Sequence, residues 1–165
     1  MRSVVAVGEE APDFDLLGVD GATGVAGRWC LSDHRGAPVV VLFYPGDSSP
    51  VCRRQLGEYT EGISAFSQLD AVVLAVSHQS PASHRRFAER SGGFAFPLLS
   101  DSDKAVAREW GVLGLLDLYR RCSFVLDAAG IVRHAHRSIG PGLLYRPATE
   151  VLDVVRGLAG SDPAD

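Results

Sequence analysis

The segment from Val39 to Leu69 most constrains what this chain can fold into. Its first part, "VVVLFY", is a continuous β-branched and aromatic run that is typical of a strand buried on both faces. The "PGD" that follows breaks this run. After Pro50 the apolar residues recur at steps of three and four, which indicates one face of a helix: Leu56, Tyr59, Ile63, Phe66 and Leu69. We therefore predict a buried strand, a tight turn and a helix in direct succession.

The rest of the chain alternates in the same way. "DAVVLAVS" predicts a second buried strand, and "SPASHRRFAER" predicts a helix with Ser80 as its N-cap and Pro81 in its first turn. We expect "GGFAFPLLSD" to be an irregular connection and "SDKAVAREWGV" to be a short helix that ends at Gly111. Near the start, "DLLGVDGATGVAG" predicts a short strand, a turn and a glycine-rich excursion.

Two further elements complete the predicted order. "CSFVLDAAGIVRHAHR" predicts a hairpin with its turn at 128–130, and "RPATEVLDVVRGLAG" predicts a last helix. Strands that alternate with helices and then pair as a hairpin indicate an α/β fold with a mixed β-sheet flanked by helices, the layout of a thioredoxin-like domain. At 165 residues we expect a single domain over 1–165, with a frayed tail at 161–165.

Composition and charge exclude several classes of function. The net charge of −4, with no basic stripe, argues against nucleic-acid binding. The apolar runs are too short to span a membrane, and the start of the chain does not resemble a secretory signal, so we expect a cytoplasmic protein. The three cysteines, Cys30, Cys52 and Cys122, form neither a disulfide framework nor a CxxC pair. This spacing argues against a dithiol oxidoreductase and against a zinc knuckle.

Cys52 is the candidate reactive residue. A helix that begins near Pro50 places this thiol in its first turn, where unpaired backbone N–H groups and the helix dipole favour the thiolate. Arg53 and Arg54 add positive potential, and the hydroxyl of Ser49 can return to the helix start. We expect an accessible thiolate that peroxide oxidises first. Position alone leaves an inert, buried cysteine equally open.

At these residues the chain resembles a known family. "FYPGDSSPVC" is similar to the peroxiredoxin signature, in which a proline, a Thr or Ser and the peroxidatic cysteine follow at set spacing. "GEEAPDFDL", "FPLLSD" and "RRCSFVLDAAGIVRHAH" match the order of that family, so the resemblance extends from about Val7 to the final helix. It is closest to the bacterioferritin-comigratory (PrxQ-like) and one-cysteine AhpE-like members.

The resemblance implies a role for four residues. Cys52 matches the peroxidatic cysteine, and Ser49 stands where threonine is more common. Pro45 matches the proline that shields the thiolate from water, and Arg121 matches the arginine of the pattern Arg-x-[Ser/Thr]-Phe. In this chemistry the thiolate attacks a peroxide oxygen, and the N–H, hydroxyl and guanidinium groups stabilise the charge on the departing oxygen. A structural ion pair is the alternative role for Arg121. No cofactor is implied.

The chain departs from the family at the resolving step. Many PrxQ-like relatives carry a resolving cysteine where this chain has Gly57, and Gln55 replaces a common glutamate. Cys122 follows Arg121 on a strand and so should face away from Cys52, and nothing places Cys30 near Cys52. We therefore expect a one-cysteine mechanism with an external thiol: thioredoxin, another redoxin or a low-molecular-weight thiol.

Several alternatives stay open from the sequence. Cys52 could serve a peroxide-sensing redox switch that a partner protein reads, or the fold could be a binding module without this chemistry. The four family residues together argue against the binding module. His134 and His136 share a strand face, but no third ligand is spaced to complete a metal site, so we expect none. "GVLGLLDLY" lines the pocket, forms a dimer contact or packs in the core. The preferred peroxide, the reductant and the choice between monomer and homodimer stay open.

Overall fold

The computed structural model describes residues 4–139 and 145–160, and the side chains of the last two residues of this second range are not described. The predicted frayed tail at 161–165 lies outside the described residues. The described residues form seven strands and five α-helices. The strands are β1 (Asp15–Val19), β2 (Ala26–Cys30), β3 (Val39–Phe43), β4 (Val72–Ser77), β5 (Leu98–Ser100), β6 (Cys122–Leu126) and β7 (Val132–Arg137). The helices are α1 (Pro50–Glu61), α2 (Ile63–Ser67), α3 (Pro81–Ser91), α4 (Ala105–Glu109) and α5 (Ala148–Gly160), with 3-10 turns at Leu31–His34 and Leu115–Asp117.

All seven strands form one mixed sheet in the order β2-β1-β5-β4-β3-β6-β7. β3 lies between β4, to which it is parallel, and β6, to which it is antiparallel. Its five residues are all buried, as the apolar run predicts. This arrangement confirms the predicted α/β fold with a mixed sheet, and it places the turn after β3 beside the start of β6.

The predicted helix after Pro50 is two helices. The backbone of Gly62, at φ −87° and ψ 3°, ends α1 and begins α2. The apolar spacing continues across this break, so Leu56 and Tyr59 of α1 and Phe66 of α2 still pack into one core cluster. The periodicity therefore predicted the buried face correctly and missed the break, because a glycine interrupts the helix without changing which side chains face inwards.

The predicted irregular connection "GGFAFPLLSD" is confirmed for residues 92–97 and wrong for residues 98–100. Residues 98–100 form β5, which pairs in parallel with β4 and antiparallel with β1. This strand holds the β1–β2 hairpin to the rest of the sheet. Gly21 lies close to the same segment, since an added Cβ there would approach the carbonyl oxygen of Phe96 to 2.2 Å. A three-residue strand beside proline and glycine is too short to show a period of two, so its pairing comes from its two neighbours.

The sheet separates two hydrophobic cores, because successive side chains on a strand point to opposite faces. One core contains Cys52 with alternate residues of β3, such as Val40 and Leu42. The other contains Cys122 with Phe43. Helices α1, α2 and α5 pack against the first face. The sheet therefore stands between the side chains of Cys52 and Cys122.

Candidate active site

The first turn of α1 holds Cys52 at the N-terminal end of the helix. Ser49 is the N-cap, with an extended backbone at φ −82° and ψ 124°, and Pro50 follows it in the first turn. The Ser49 hydroxyl oxygen accepts a hydrogen bond of 3.3 Å from the backbone N–H of Cys52. Because this bond uses the oxygen as an acceptor, the hydroxyl hydrogen of Ser49 can be donated to another group. The predicted contact between Ser49 and the helix start is confirmed.

Cys52 is buried, contrary to the expectation of an accessible thiol. Its relative exposure is 0%, and it packs in the core with Leu56 and Tyr59. These residues follow Cys52 by four and seven positions, so the thiol lies on the apolar face of α1. The same spacing is visible in the sequence, where it was counted only from Leu56 onwards. A thiol reductant cannot reach this sulfur unless the start of α1 moves.

Arg121 reaches α1 from the end of the neighbouring strand. It directly precedes β6, is 3% exposed and faces the side of the sheet opposite to Cys122. Its Nη1 donates a hydrogen bond of 2.7 Å to Oε1 of Gln55, which is itself buried. Gln55 lies one turn after Cys52 on the same helix. The sequence had singled out Gln55 only as a departure from the family, and the structure makes it a partner of Arg121.

Pro45 and Arg121 line a shared pocket of about 560 Å³. Its outer wall is the loop before β6, which contributes Leu115, Leu118 and Tyr119. Of the interpretations offered for "GVLGLLDLY", core packing is confirmed for Val112 and Tyr119. The loop also lines this pocket, on whose wall Cys52 itself does not lie. Core packing is wrong for the 3-10 turn, where Leu115 is 89% exposed.

The turn between β3 and α1 carries a buried polar cluster that the sequence analysis missed. Asp47 is 2% exposed and His84 is fully buried, and His84 Nδ1 lies 2.9 Å from Oδ2 of Asp47. The hydroxyls of Tyr44 and Ser83 donate to the same carboxylate at 2.8 and 2.7 Å. The available signal was the aspartate in the broken turn together with a histidine on the inner face of the next helix.

A family model and a curated relative identify the chain. The model described as the AhpC/TSA family matches residues 7–135. Peroxiredoxin Q of the chloroplast of Populus jackii is 37% identical over 128 residues, which cover 76% of this chain and 57% of that protein. The chain belongs to the AhpC/TSA family of peroxiredoxins. It spans 57% of the length of the Populus jackii protein and 60% of the length of peroxiredoxin Q of Oryza sativa.

Solved peroxiredoxins share the fold. The reduced 2-Cys peroxiredoxin of Plasmodium vivax superposes with a TM-score of 0.85 at 26% identity, over 93% of this chain and 96% of that one. The bacterioferritin comigratory protein of Xanthomonas campestris superposes with a TM-score of 0.74 at 30% identity, over 87% and 91%. These likenesses confirm the thioredoxin-like fold and the resemblance to PrxQ-like members. The catalytic roles of Cys52, Ser49, Pro45 and Arg121 stay predictions.

The other two cysteines of this peroxiredoxin lie away from Cys52, and all three are free. Cys122 is 1% exposed on the opposite face of the sheet, as predicted from the strand alternation. Burial raises the pKa of the Cys122 thiol to about 11, although the positive charges of Arg120 and Arg137 act in the other direction. Cys30 lies on β2, four strands from β3, which is roughly 19 Å at the usual strand spacing.

The remaining candidates are the two histidines near the end of the sheet. His134 and His136 lie on β7, and burial lowers the pKa of both imidazoles. Within 4–139 and 145–160, no group of three or more His, Cys, Asp or Glu residues is arranged to hold a metal ion. In the same part of the chain, none of the helices combines the length and apolar character needed to cross a membrane.

Proposed function

We propose that this chain is a thiol-dependent peroxidase that reduces hydrogen peroxide or organic hydroperoxides through Cys52. One observation carries the proposal. The same short helix start holds Cys52, the capping hydroxyl of Ser49 and, through Gln55, the guanidinium of Arg121. The family supports it, since peroxiredoxins use peroxide substrates and thiol reductants. The bacterioferritin comigratory protein of Xanthomonas campestris is described as having alkyl peroxide reduction activity.

The chemistry follows from these positions. The Cys52 thiolate attacks one peroxide oxygen, the S–O bond forms as the O–O bond breaks, and the sulfur is oxidised to sulfenic acid. The departing oxygen leaves with the electron pair of the O–O bond and takes up a proton as water or an alcohol. Arg121 and the Ser49 hydroxyl stabilise the negative charge that develops on this oxygen. Pro45 excludes water from the pocket wall.

We assign the reducing step to an external thiol. It attacks the sulfenic sulfur, releases water and forms a mixed disulfide, and a second thiol then frees Cys52. The positions of Cys30 and Cys122 support this one-cysteine scheme, because a disulfide needs Cα atoms within about 7 Å. Since Cys52 is buried, the first turn of α1 must open before the thiol can reach its sulfur. Thioredoxin, another redoxin and a low-molecular-weight thiol all meet this chemical requirement.

Two further assignments belong to the same proposal. A patch of exposed apolar side chains lies near the pocket: Leu115, Leu116, Leu118 and Ile139. This patch favours a homodimer over a monomer, because burying apolar surface against a second copy removes it from water. Sedimentation of the protein at micromolar concentration tests this choice.

We propose the cytoplasm as the location of this protein, since free cysteines suit a reducing compartment.

The deciding experiment is intact mass and peptide mapping after one equivalent of hydrogen peroxide, with a trap for sulfenic acid. We expect the trapped adduct on Cys52 and none on Cys30 or Cys122. Cys52→Ser should abolish peroxide consumption, whereas Cys30→Ser and Cys122→Ser should keep the first oxidation step. Wild-type peroxide reduction by Cys52→Ser would refute the proposal. A two-dalton loss that links Cys52 to either other cysteine would refute the external-thiol scheme.

The redox switch is separated from the peroxidase by turnover. A peroxidase consumes many equivalents of peroxide when dithiothreitol or thioredoxin with its reductase is supplied. A switch oxidises once at Cys52 and then stays oxidised until a partner protein reads it. We expect sustained consumption.

A further inference from the structure

The turn between β3 and α1 is held in place by Asp47, which lies between Pro45 and Ser49. The backbone N–H of Asp47 donates to the side-chain oxygen of Gln79, and its backbone carbonyl accepts from the guanidinium of Arg90. Its carboxylate accepts hydrogen bonds from Tyr44, Ser83 and His84. The backbone and the side chain of Asp47 are therefore both hydrogen-bonded to α3 or to Gln79, which precedes it.

His84 anchors the cluster to the sheet. Its Nε2 lies 3.0 Å from the backbone carbonyl oxygen of Leu99 on β5, and a carbonyl oxygen only accepts, so Nε2 carries a hydrogen. Its Nδ1 lies 2.9 and 3.0 Å from the two carboxylate oxygens of Asp47. The hydroxyl of Tyr44 also lies 3.2 Å from Nδ1, so buried polar partners hold both ring nitrogens.

The surroundings of Asp47 favour its ionised form. Burial raises the pKa of the Asp47 carboxyl, but the hydrogen bond and the attraction to His84, with the bonds from Ser83 and Tyr44, outweigh burial and lower it. Burial and the negative charge of Asp47 raise the pKa of Tyr44 well above its usual range, so this hydroxyl keeps its hydrogen and donates it. Asp47 is thus an ionised carboxylate that three donors surround inside the protein.

The same helix also holds the start of α1. The guanidinium of Arg53, next to Cys52, donates to the backbone carbonyl of Arg90 at 3.1 Å, and Arg90 itself binds the backbone of Asp47. The ring of Tyr44 packs against Phe87 of α3 at 6.1 Å between centroids. The residues on either side of Cys52 are therefore fixed relative to α3, and the Asp47–His84 contact is the buried, charged part of this attachment.

We propose that Asp47 and His84 are positioning residues for the reaction of Cys52 with peroxide. They hold the turn so that Pro45 and Ser49 stand in reacting geometry around the sulfur, and neither needs to touch the peroxide. The proposal rests on the proposed peroxidase function. A displacement of about 1 Å at a reacting centre can cost on the order of a hundredfold in rate, so a loosened turn should slow the reaction while leaving the thiol in place.

The test compares two reactions of Cys52 in the full chain. Hydrogen peroxide needs the positioned donors, whereas alkylation by iodoacetamide needs only a reachable thiolate. We expect Asp47→Ala to lower the second-order rate constant with peroxide by roughly 30- to 100-fold. Alkylation of the buried sulfur should stay as fast or become faster, because a loosened turn makes it easier for the start of α1 to open. Asp47→Asn should recover most of the peroxide rate, because the asparagine amide can donate to His84 Nδ1 while its oxygen accepts from Tyr44 or Ser83.

Asp127→Ala is the matched control. Asp127 also accepts three hydrogen bonds, from Ala129, Ile131 and Arg133. It lies in the turn after β6, at the opposite end of this strand from Arg121. The Asp127→Ala protein should lose thermal stability and keep both rate constants.

Should Asp47→Ala fail to fold, His84→Gln tests the positioning role instead, because the glutamine amide can donate to Asp47 or to Leu99 but not to both. The His84→Gln protein should then lose about tenfold in the peroxide rate, with alkylation as fast as in the parent or faster.

Two results would overturn the positioning role. One is a folded Asp47→Ala or His84→Gln protein whose peroxide rate constant stays within about twofold of the parent, since misplacement should cost far more. The other is an equal fall in the peroxide and alkylation rates. A parent protein whose Cys52 does not react with peroxide would instead refute the proposed function, while its alkylation rate would still be measurable. The two failures are therefore distinguishable.

Discussion

Arg121 donates its hydrogen bond of 2.7 Å to the side-chain amide of Gln55 with both residues almost completely buried. The bond joins the start of β6 to α1 one turn after Cys52. Because water does not reach it, it orients the guanidinium more strictly than a surface contact would. A glutamine carries no charge, so this particular bond orients the guanidinium without neutralising it.

Gln55→Leu should slow the reaction of Cys52 with peroxide by about tenfold or more, because a hydrogen bond to a charged group contributes roughly 1.5–3 kcal/mol. Gln55→Glu keeps an acceptor at the same place and should lose less. Stopped-flow measurement of the second-order rate constant tests both variants, and thermal melting checks that they fold. A Gln55→Leu protein as fast as the parent would show that Arg121 does not depend on this bond.

Arg121→Met should lower the peroxide rate constant by roughly 10²–10³-fold, the usual cost of removing one donor to a developing oxyanion. Arg121→Lys should fall between Met and the parent, since lysine supplies a charge without the planar fork. Arg156→Met is the matched control, because Arg156 pairs with Asp153 on the exposed face of α5. If the Arg121 and Arg156 variants lost activity equally, the structural ion-pair reading of Arg121 would be the better one.

Ser49→Ala should act on stability and on rate at once. Loss of the N-cap oxygen costs about 1 kcal/mol of unfolding free energy, and loss of the hydroxyl hydrogen removes a donor to the departing oxygen. Ser49→Thr keeps the hydroxyl and should retain most of the activity. Urea unfolding and peroxide kinetics on the same samples separate the two effects. A pure stability loss, with the peroxide rate unchanged, would confine Ser49 to a structural cap.

Cys122 should make the folded protein less stable at alkaline pH. Its pKa is about 11 in the folded state and 9.0 as the ordinary value, so the folded protein holds the proton more tightly than the unfolded chain. This contribution is complete below pH 9 and is lost as the pH rises through 11. It amounts to roughly 2–3 kcal/mol. Urea unfolding of the parent and Cys122→Ala between pH 8 and 11 should show the difference between them shrinking, and a constant difference would contradict this.

Neighbouring residues already specify much of the site. The Ser49 cap spans three positions, and the same short segment contains Pro45 and Cys52, so a local motif was enough to bring them together. The burial of Cys52 was also within reach, because it continues the spacing of Leu56 and Tyr59. A buried cysteine had stayed open as the alternative, because the apolar helix face was counted only from Leu56 onwards.

Long-range contacts could not be predicted in this way. β5 is a strand because it pairs with β1 and β4 on either side. Three residues beside a proline are too few to show the alternation that predicts a strand. Strand alternation did place Cys122 opposite to Arg121, since that rule depends on adjacent residues alone. It could not say which helix residue Arg121 would meet.

The amino-acid sequence by itself determined the helices and strands that carry a clear apolar period, the capped cysteine at a helix start and the family. These depend on backbone hydrogen bonding and apolar periodicity among near neighbours. Only the tertiary structure decided that Arg121 binds Gln55 across 66 positions and that Asp47 binds His84 across 37. The physical reason is that strand order and helix packing choose which distant polar groups are buried together, and a buried polar group must find its partner there.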